Sequence, residues 1–278
     1  LLLVAGFLGY KQLTNAESPI AEEVKKVEKK VSKPKKVEAT PISDTTWNDL
    51  EAKLGAIIAA NPNVNIAVGV IDSKTNTKVS YGFAEAFHGA STTKVLTASA
   101  YLSLVEKGER SLDTVISGRT AQEHIRLMIN RSNNESWAVL NSAVGYNQLT
   151  AYGQSNGLNS YNYIGNTITA ADQATLLQKL YKRQLLNESH TTLLLSYMQA
   201  TNNETMLPAV LPEGATLYHK YGQLEDRLHD TGIIEFKNRP LILTIYTKGG
   251  ATDGSVYASR TALIQAIAQE VYTTFYQN

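Results

Sequence analysis

The stretch FHGASTTKVLTASAYLSLVEKGERSLD, Phe87–Asp113, decides how the rest of this chain is read. Val95, Leu96, Ala98, Ala100, Leu102, Leu104 and Val105 give it a nearly all-apolar character. A helix that is apolar on most sides belongs in the centre of a domain. The segment Glu106–Arg110, with Gly108, closes it. Ser91 and Lys94 stand three residues apart at its start. If Ser91 begins the helix, the two share a face, with Cβ atoms about 5–6 Å apart. A serine hydroxyl is a weak nucleophile and needs a neighbouring base. A lysine amine serves as that base only when burial or other cations lower its pKa. A helix N-terminus also favours negative charge developing on the serine. The competing reading makes Ser91 an ordinary helix cap and Lys94 a snorkelling surface residue. The pair alone does not choose between them.

Upstream of that stretch, TTWNDLEAKLGAIIAA places Trp47, Leu50, Leu54 and Ile57 or Ile58 on one helical face, and Asn61-Pro62 stops it. VNIAVGVID and TKVSYGF read as two strands around DSKTNT, an antiparallel hairpin. Downstream, Thr120–Leu158 carries several short helical patterns, and ITAADQATLLQKLYKRQLL and SHTTLLLSYMQA give two more helices. LPEGATLYHKYG, DTGIIEF and RPLILTIYT read as three strands, and a last helix runs from about Ser255 to Thr274. The order predicts an α+β fold, an α/β sandwich. Its five-stranded, mostly antiparallel sheet joins strands from both ends of the domain. Terminal helices cover one face. Inserted helices cover the other and build an all-helical lobe.

The bulk composition fits this. The chain has 278 residues, a net charge of +1, 43% hydrophobic and 18% charged residues, the balance of an ordinary globular protein. Near-neutral charge gives no general reason to expect a nucleic-acid partner. With no cysteine, thiol catalysis, disulfides and cysteine metal sites are excluded. Residues 1–10, LLLVAGFLGY, are too short to span a bilayer and read as the truncated end of a signal peptide or membrane anchor. Residues 11–43 read as a disordered linker: Glu17–Thr40 holds seven Lys, five Glu and two Pro around scattered Val. The folded domain is expected over 44–278. N-terminal membrane association and an extracytoplasmic location, anchored or secreted, follow as expectations.

Two later segments change the reading of Ser91 and Lys94. Ser132-Asn133-Asn134 lies in a polar part of the helical block, and His219-Lys220-Tyr221-Gly222 ends a strand. The order Ser-x-x-Lys, Ser-x-Asn, Lys-x-Gly resembles that of the penicillin-recognising serine hydrolases, the serine β-lactamases and D-alanyl-D-alanine peptidases. The class A β-lactamase-like branch is the most similar, over about Thr45–Phe275. That resemblance implies the same α+β fold. It makes Ser91 the acylated nucleophile and Lys94 the acceptor of its proton. Ser132 would relay a proton to the leaving nitrogen, and Lys220 would supply positive charge near a substrate carboxylate. Asn134 would hold a substrate amide. The N–H groups of Ser91 and Gln223 would form the oxyanion hole, and Gly222 would let substrate backbone approach the strand edge.

Departures from the family pattern shape the functional expectation. Asn133 stands where Asp is usual, and Tyr221 where Thr or Ser is usual; Tyr221 keeps a hydroxyl and is expected, with Asn134, Gly222 and Gln223, to bind substrate. GLNSYNYIGNTITAADQA offers no Glu or Asp between Gly157 and Asp172, so the family's deacylating glutamate has no match. The spacing from Ser91 to Ser132 is also short. The expected function is therefore an extracytoplasmic serine acyl-enzyme hydrolase acting on cell-wall D-alanyl peptides or related amides. A class A-like β-lactamase and a non-catalytic cell-surface binding protein are the alternatives. A cell-wall peptide or a β-lactam is the expected small-molecule partner, with no nucleic acid, no cofactor and no metal; the five histidines show no ligand spacing. His219 reads as a partly buried strand residue. Tyr161 and Tyr163 are candidates to line a groove.

Overall fold

The computed structural model describes residues 43–276. The expectations for the anchor and for the linker up to residue 42 lie outside these residues.

The first helix, α1 (Asp44–Ala59), starts where Ser43 caps it, its hydroxyl accepting from the Thr46 N–H. Its buried stripe is Trp47, Leu50 and Leu54. Strands β1 (Asn65–Asp72) and β2 (Thr77–Gly82) follow as the expected hairpin. Asp72 organises the turn: its carboxylate accepts from the Lys74 N–H and the Thr75 hydroxyl, and Asn76 takes the left-handed conformation at φ 65°. Strand β1 is buried at every residue after Asn65. A strand reads as an unbroken apolar run when both faces of its sheet are covered.

After β2 come β3 (Phe87–His88), α2 (Lys94–Glu106), β4 (Val115–Ile116), β5 (Arg119–Thr120), α3 (Ala121–Asn130), α4 (Asn134–Val144), α5 (Tyr146–Ser155), β6 (Thr167–Ile168), α6 (Ala170–Tyr181) and α7 (Glu188–Tyr197). The chain then returns through a short 3-10 turn to β7 (Thr216–Leu224), β8 (Arg227–Glu235), β9 (Leu241–Lys248) and α8 (Tyr257–Tyr276). The main sheet has the order β2-β1-β9-β8-β7, with every neighbouring pair antiparallel. The lobe is thus inserted between β2 and β7, as expected.

Alternation along the strands divides the core in two. Val68, Val70, Leu243 and Ile245 face α1 and α8, where they meet Leu50, Leu54, Ile264, Ile267 and Val271. Ala67, Ile71, Ile233 and Ile242 face the lobe and its buried α2 and α6. Each fully buried Leu or Ile contributes about 1.5–3 kcal/mol by leaving water. Helix α6 lies so close to β1 that a Cβ on Gly69 would stand 2.7 Å from the Ala170 carbonyl oxygen.

Three boundaries differ from the sequence reading. Helix α2 begins at Lys94, and Ser91 precedes it in a 3-10-like turn closed by Lys94 N–H to Ser91 C=O at 3.3 Å. Strand β7 continues past Gly222 to Leu224, and β8 starts at Arg227, so the two form a tight hairpin with Glu225 left-handed at φ 51°. The last helix lies about two residues later than expected. The two-residue ribbons β3–β6 and β4–β5 are additions that the sequence pattern is too short to reveal.

Candidate active site

Ser91 sits half-buried where the start of α2 meets the free edge of β7. The contact is at backbone distance: a Cβ on Gly222 would lie 3.1 Å from Ser91 N, from Gly89 O and from Ala90 Cβ. Only glycine fits there without moving the turn that carries Ser91. On the same edge, His219 N–H donates outward to Met198 O at 2.8 Å, and the Tyr221 carbonyl accepts from Lys220 Nζ at 2.9 Å. Main-chain groups alternate along an antiparallel strand, so Gln223 N–H faces that open edge as well.

Lys94 is fully buried beneath Ser91, in the first turn of the apolar α2. Its Nζ donates to Ser132 O at 2.7 Å and Asn134 Oδ1 at 2.7 Å, with Ser132 Oγ at 3.4 Å. The Trp137 ring lies 5.2 Å from the same nitrogen. Burial pushes the Lys94 ammonium down to about 7. A neutral amine has two N–H bonds, and two carbonyl oxygens at 2.7 Å accept them, leaving its lone pair for a proton. Among the described residues, the hydrogen bonds of Lys94 do not include the Ser91 hydroxyl. Hydrogen bonds between nucleophile and base commonly tighten only when substrate is present.

Ser132 lies in the break between α3 and α4, at φ 54°. A left-handed non-glycine residue costs about 1–3 kcal/mol and persists where its surroundings hold it. Here Lys94 holds the Ser132 carbonyl and Lys220 holds its hydroxyl, from 2.9 Å. Lys220 is also fully buried. Burial first, and Lys94 second, hold its ammonium well below the ordinary lysine range. Asn133 caps α4 through its Oδ1 and the Ser136 N–H at 2.7 Å. The substitution of Asn for Asp in the middle of this motif therefore keeps a capping oxygen. Asn134 is exposed, and its Oδ1 is taken by Lys94.

Tyr221 uses its hydroxyl elsewhere. It donates to Asn202 Oδ1 at 3.2 Å, and the ring lies 4.2 Å from Lys220 Nζ. Asn202 in turn bonds Asn130 O and Arg131 O, tying the segment after α7 to the end of α3. His219 is more than the partly buried strand residue expected. It is 1% exposed, with Nδ1 3.0 Å from Asp230 Oδ1 and Nε2 3.1 Å from Glu204 Oε1. Burial opposes its charge, yet the Asp230 and Glu204 carboxylates raise it to about 9.

The segment between α5 and α6 carries no carboxylate toward the site. The first acid after it, Asp172 in the first turn of α6, accepts from the Ser160 N–H at 2.8 Å and Ser160 hydroxyl at 2.6 Å. Its own N–H donates to the cap of α6, Thr169. Tyr161, a groove candidate from the sequence, is 2% exposed and packs in the lobe core, because a ring of that size fills the space beside Gly153. Tyr163 stacks on Tyr146 at 4.8 Å. Asn166, for which the sequence pattern suggests no role at the site, reaches the nucleophile turn. Its Oδ1 accepts from Thr93 Oγ1 at 2.7 Å and its Nδ2 donates to Ala90 O at 2.9 Å.

A family model described as the Beta-lactamase enzyme family matches residues 49–275. The chain belongs to that family. Its fold is that of the penicillin-recognising serine hydrolases, and solved structures agree. The structure of PBP-A is 22% identical with a TM-score of 0.76, over 84% of this chain and 97% of that one. A mutant of PBP-A, an acyl-enzyme complex with penicillin G, is 23% identical with a TM-score of 0.76, over 83% and 97%. An ancestral class A β-lactamase is 24% identical with a TM-score of 0.75, over 81% of this chain and all, 100%, of that chain. No curated protein matches the chain.

Proposed function

We propose that this chain is an extracytoplasmic serine acyl-enzyme hydrolase that acts on D-alanyl peptides or related cell-wall amides and deacylates slowly. The observation that carries the reading is the convergence of two buried lysines on Ser132, with Gly222 of the Lys220 strand packed against the turn that carries Ser91 and no carboxylate on the α5–α6 segment. In this reading neutral Lys94 accepts the proton of the Ser91 hydroxyl as Ser91 Oγ attacks the substrate carbonyl carbon. The N–H groups of Ser91 and Gln223 take the oxyanion, where charge develops in the transition state. The Ser132 hydroxyl, held by Lys220, passes a proton to the departing nitrogen. Asn134 Nδ2 offers a donor to the substrate. The apolar start and the Lys/Glu/Pro stretch behind it support a site of action outside the cytoplasm.

Release of the acyl group needs a deprotonated water beside the ester. A missing general base costs about 10²–10⁴ in rate, so the adduct persists. Intact-protein mass spectrometry after exposure to penicillin G and to a D-alanyl thioester, beside Ser91→Ala, tests this. The expected result is a long-lived adduct that Ser91→Ala lacks. Rapid multiple turnover of penicillin would replace it with the β-lactamase reading. Absence of any adduct would replace it with that of a binding protein. Fractionation of cells expressing the full-length gene tests the location; recovery wholly in the cytoplasm would overturn it.

A further inference from the structure

Ala90, immediately before Ser91, is left-handed at φ 49°. For a residue with a Cβ that conformation costs about 1–2 kcal/mol, so something must hold it. Both ends of Ala90 are held by side chains. Its N–H donates to His88 Nδ1 at 3.1 Å. Its carbonyl accepts from Asn166 Nδ2 at 2.9 Å, with the Thr93 hydroxyl, which donates to Asn166 Oδ1, 3.2 Å away. Asn166 is itself fixed: it is buried, left-handed at φ 44°, and its carbonyl accepts from Gly89 N–H at 2.8 Å. The Ala90 carbonyl and the Ser91 N–H belong to one planar trans peptide and point in opposite directions. Pinning the oxygen on the Asn166 side therefore turns the N–H to the opposite side. Ser91 N lies 3.1 Å from the place of a Cβ on Gly222, at the β7 edge.

We propose that Asn166 and His88 are positioning residues that aim the Ser91 N–H at the oxyanion by clamping the two ends of Ala90. This rests on the acyl-transfer reading of the site. It adds a condition on pH, because His88 Nδ1 accepts only while unprotonated. The charged groups around His88 are Arg227 and Glu225, and His229 donates to the His88 carbonyl at 3.0 Å. Burial, then Arg227, push His88 below the ordinary histidine value. The clamp is therefore intact at neutral pH and opens on acidification.

The test uses acylation by a chromogenic cephalosporin, with amide NMR on the same proteins. Asn166→Asp keeps the acceptor for Thr93 but replaces the donor to Ala90 with an oxygen. It is expected to slow acylation about 10²-fold with little change in substrate affinity, as for a misplaced reacting group. His88→Leu slows it, and His88→Asn, whose Oδ1 stands in for Nδ1, recovers the rate and leaves an acid limb set by Lys94 alone. In the wild type the Ala90 amide resonance titrates with the His88 ring, and Asn166→Asp shifts the Ser91 amide. Wild-type acylation by Asn166→Asp, or an Ala90 amide indifferent to His88, would overturn the proposal. If the wild type forms no adduct, the functional reading fails, and the two amide measurements still decide the clamp.

Discussion

Lys220 donates to the Ser132 hydroxyl from 2.9 Å, out of a fully buried position on β7. The serine's remaining lone pair and its proton are then the groups free to move. Lys220→Met removes the donor and keeps the stem volume. Acylation is expected to fall by about 10²–10⁴, the usual worth of proton-transfer machinery. Thermal stability should hold, because a buried ammonium is itself expensive to desolvate. Stopped-flow acylation beside a thermal melt separates the two effects; an unaltered acylation rate would remove Lys220 from the site.

Gly222→Ala addresses the fit between β7 and the nucleophile turn. The new Cβ would meet three atoms at 3.1 Å, two of them backbone. Overpacking of this kind typically costs about 1–3 kcal/mol. The turn carrying Ser91 is expected to move, so acylation falls more than tenfold while circular dichroism stays native. Full acylation by the variant would mean that β7 and the turn do not meet as described.

Tyr221→Phe tests whether the hydroxyl takes part in the chemistry. That hydroxyl is committed to Asn202 at 3.2 Å. Its loss is expected to cost about 0.5–1.5 kcal/mol at most and to leave acylation within a few-fold of wild type. A drop of a hundredfold in acylation, measured against the same β-lactam, would return the hydroxyl to the substrate.

Stability should fall below about pH 6.5; above it, His219 contributes a loss that works against the gain from Lys94 and Lys220, which the folded chain holds below the ordinary lysine range. Burial lowers His229 to about 4, so between 6.5 and 4 the unfolded chain binds a proton that the folded one does not. Stability is therefore lost as pH falls through that window, by about 3 kcal/mol if the whole shift is expressed. His219 has the opposite sign. Raised to about 9 by Asp230 and Glu204 against its burial, it stabilises fully below 6.5 and loses that contribution as pH rises through 9. Urea titrations across pH check this; His229→Gln should flatten the acid limb, and His219→Gln should make stability rise more steeply above pH 6.5 than in the wild type.

The fold was legible because its periodicities are long. The apolar run of α2, the stripe Trp47–Leu50–Leu54 and the three C-terminal strands all announce themselves, and their order implies the sheet. Ser91, Lys94, Ser132, Asn134 and Lys220 were legible through short motifs, and the structure brings them together. What stayed hidden acts through backbone. Asn166 bonds a carbonyl 76 residues away, and nothing in NTIT marks an amide for that role. The left-handed conformations of Ala90 and Ser132 fall on residues that do not favour them, so composition gives no warning. His219 was legible as a strand residue but not as a charged one, because its partners, Glu204 and Asp230, are supplied by separate segments.

The pairing of β1 with β9, Asn65 against Lys248 through Asp72 against Leu241, also governs how the molecule is made. Two neighbours in the sheet are separated by the whole helical lobe, a long loop to close before their contacts repay it. While the ribosome is still short of residue 241, β1 has one flank covered by β2 and the other bare. Local helices of the lobe form early, and the sheet completes late. Bare strand flanks invite pairing with another chain. Yield of native protein should therefore depend on how quickly the last three strands follow the first two, and a chain cut before Leu241 leaves β1 and β8 each with an unpaired edge.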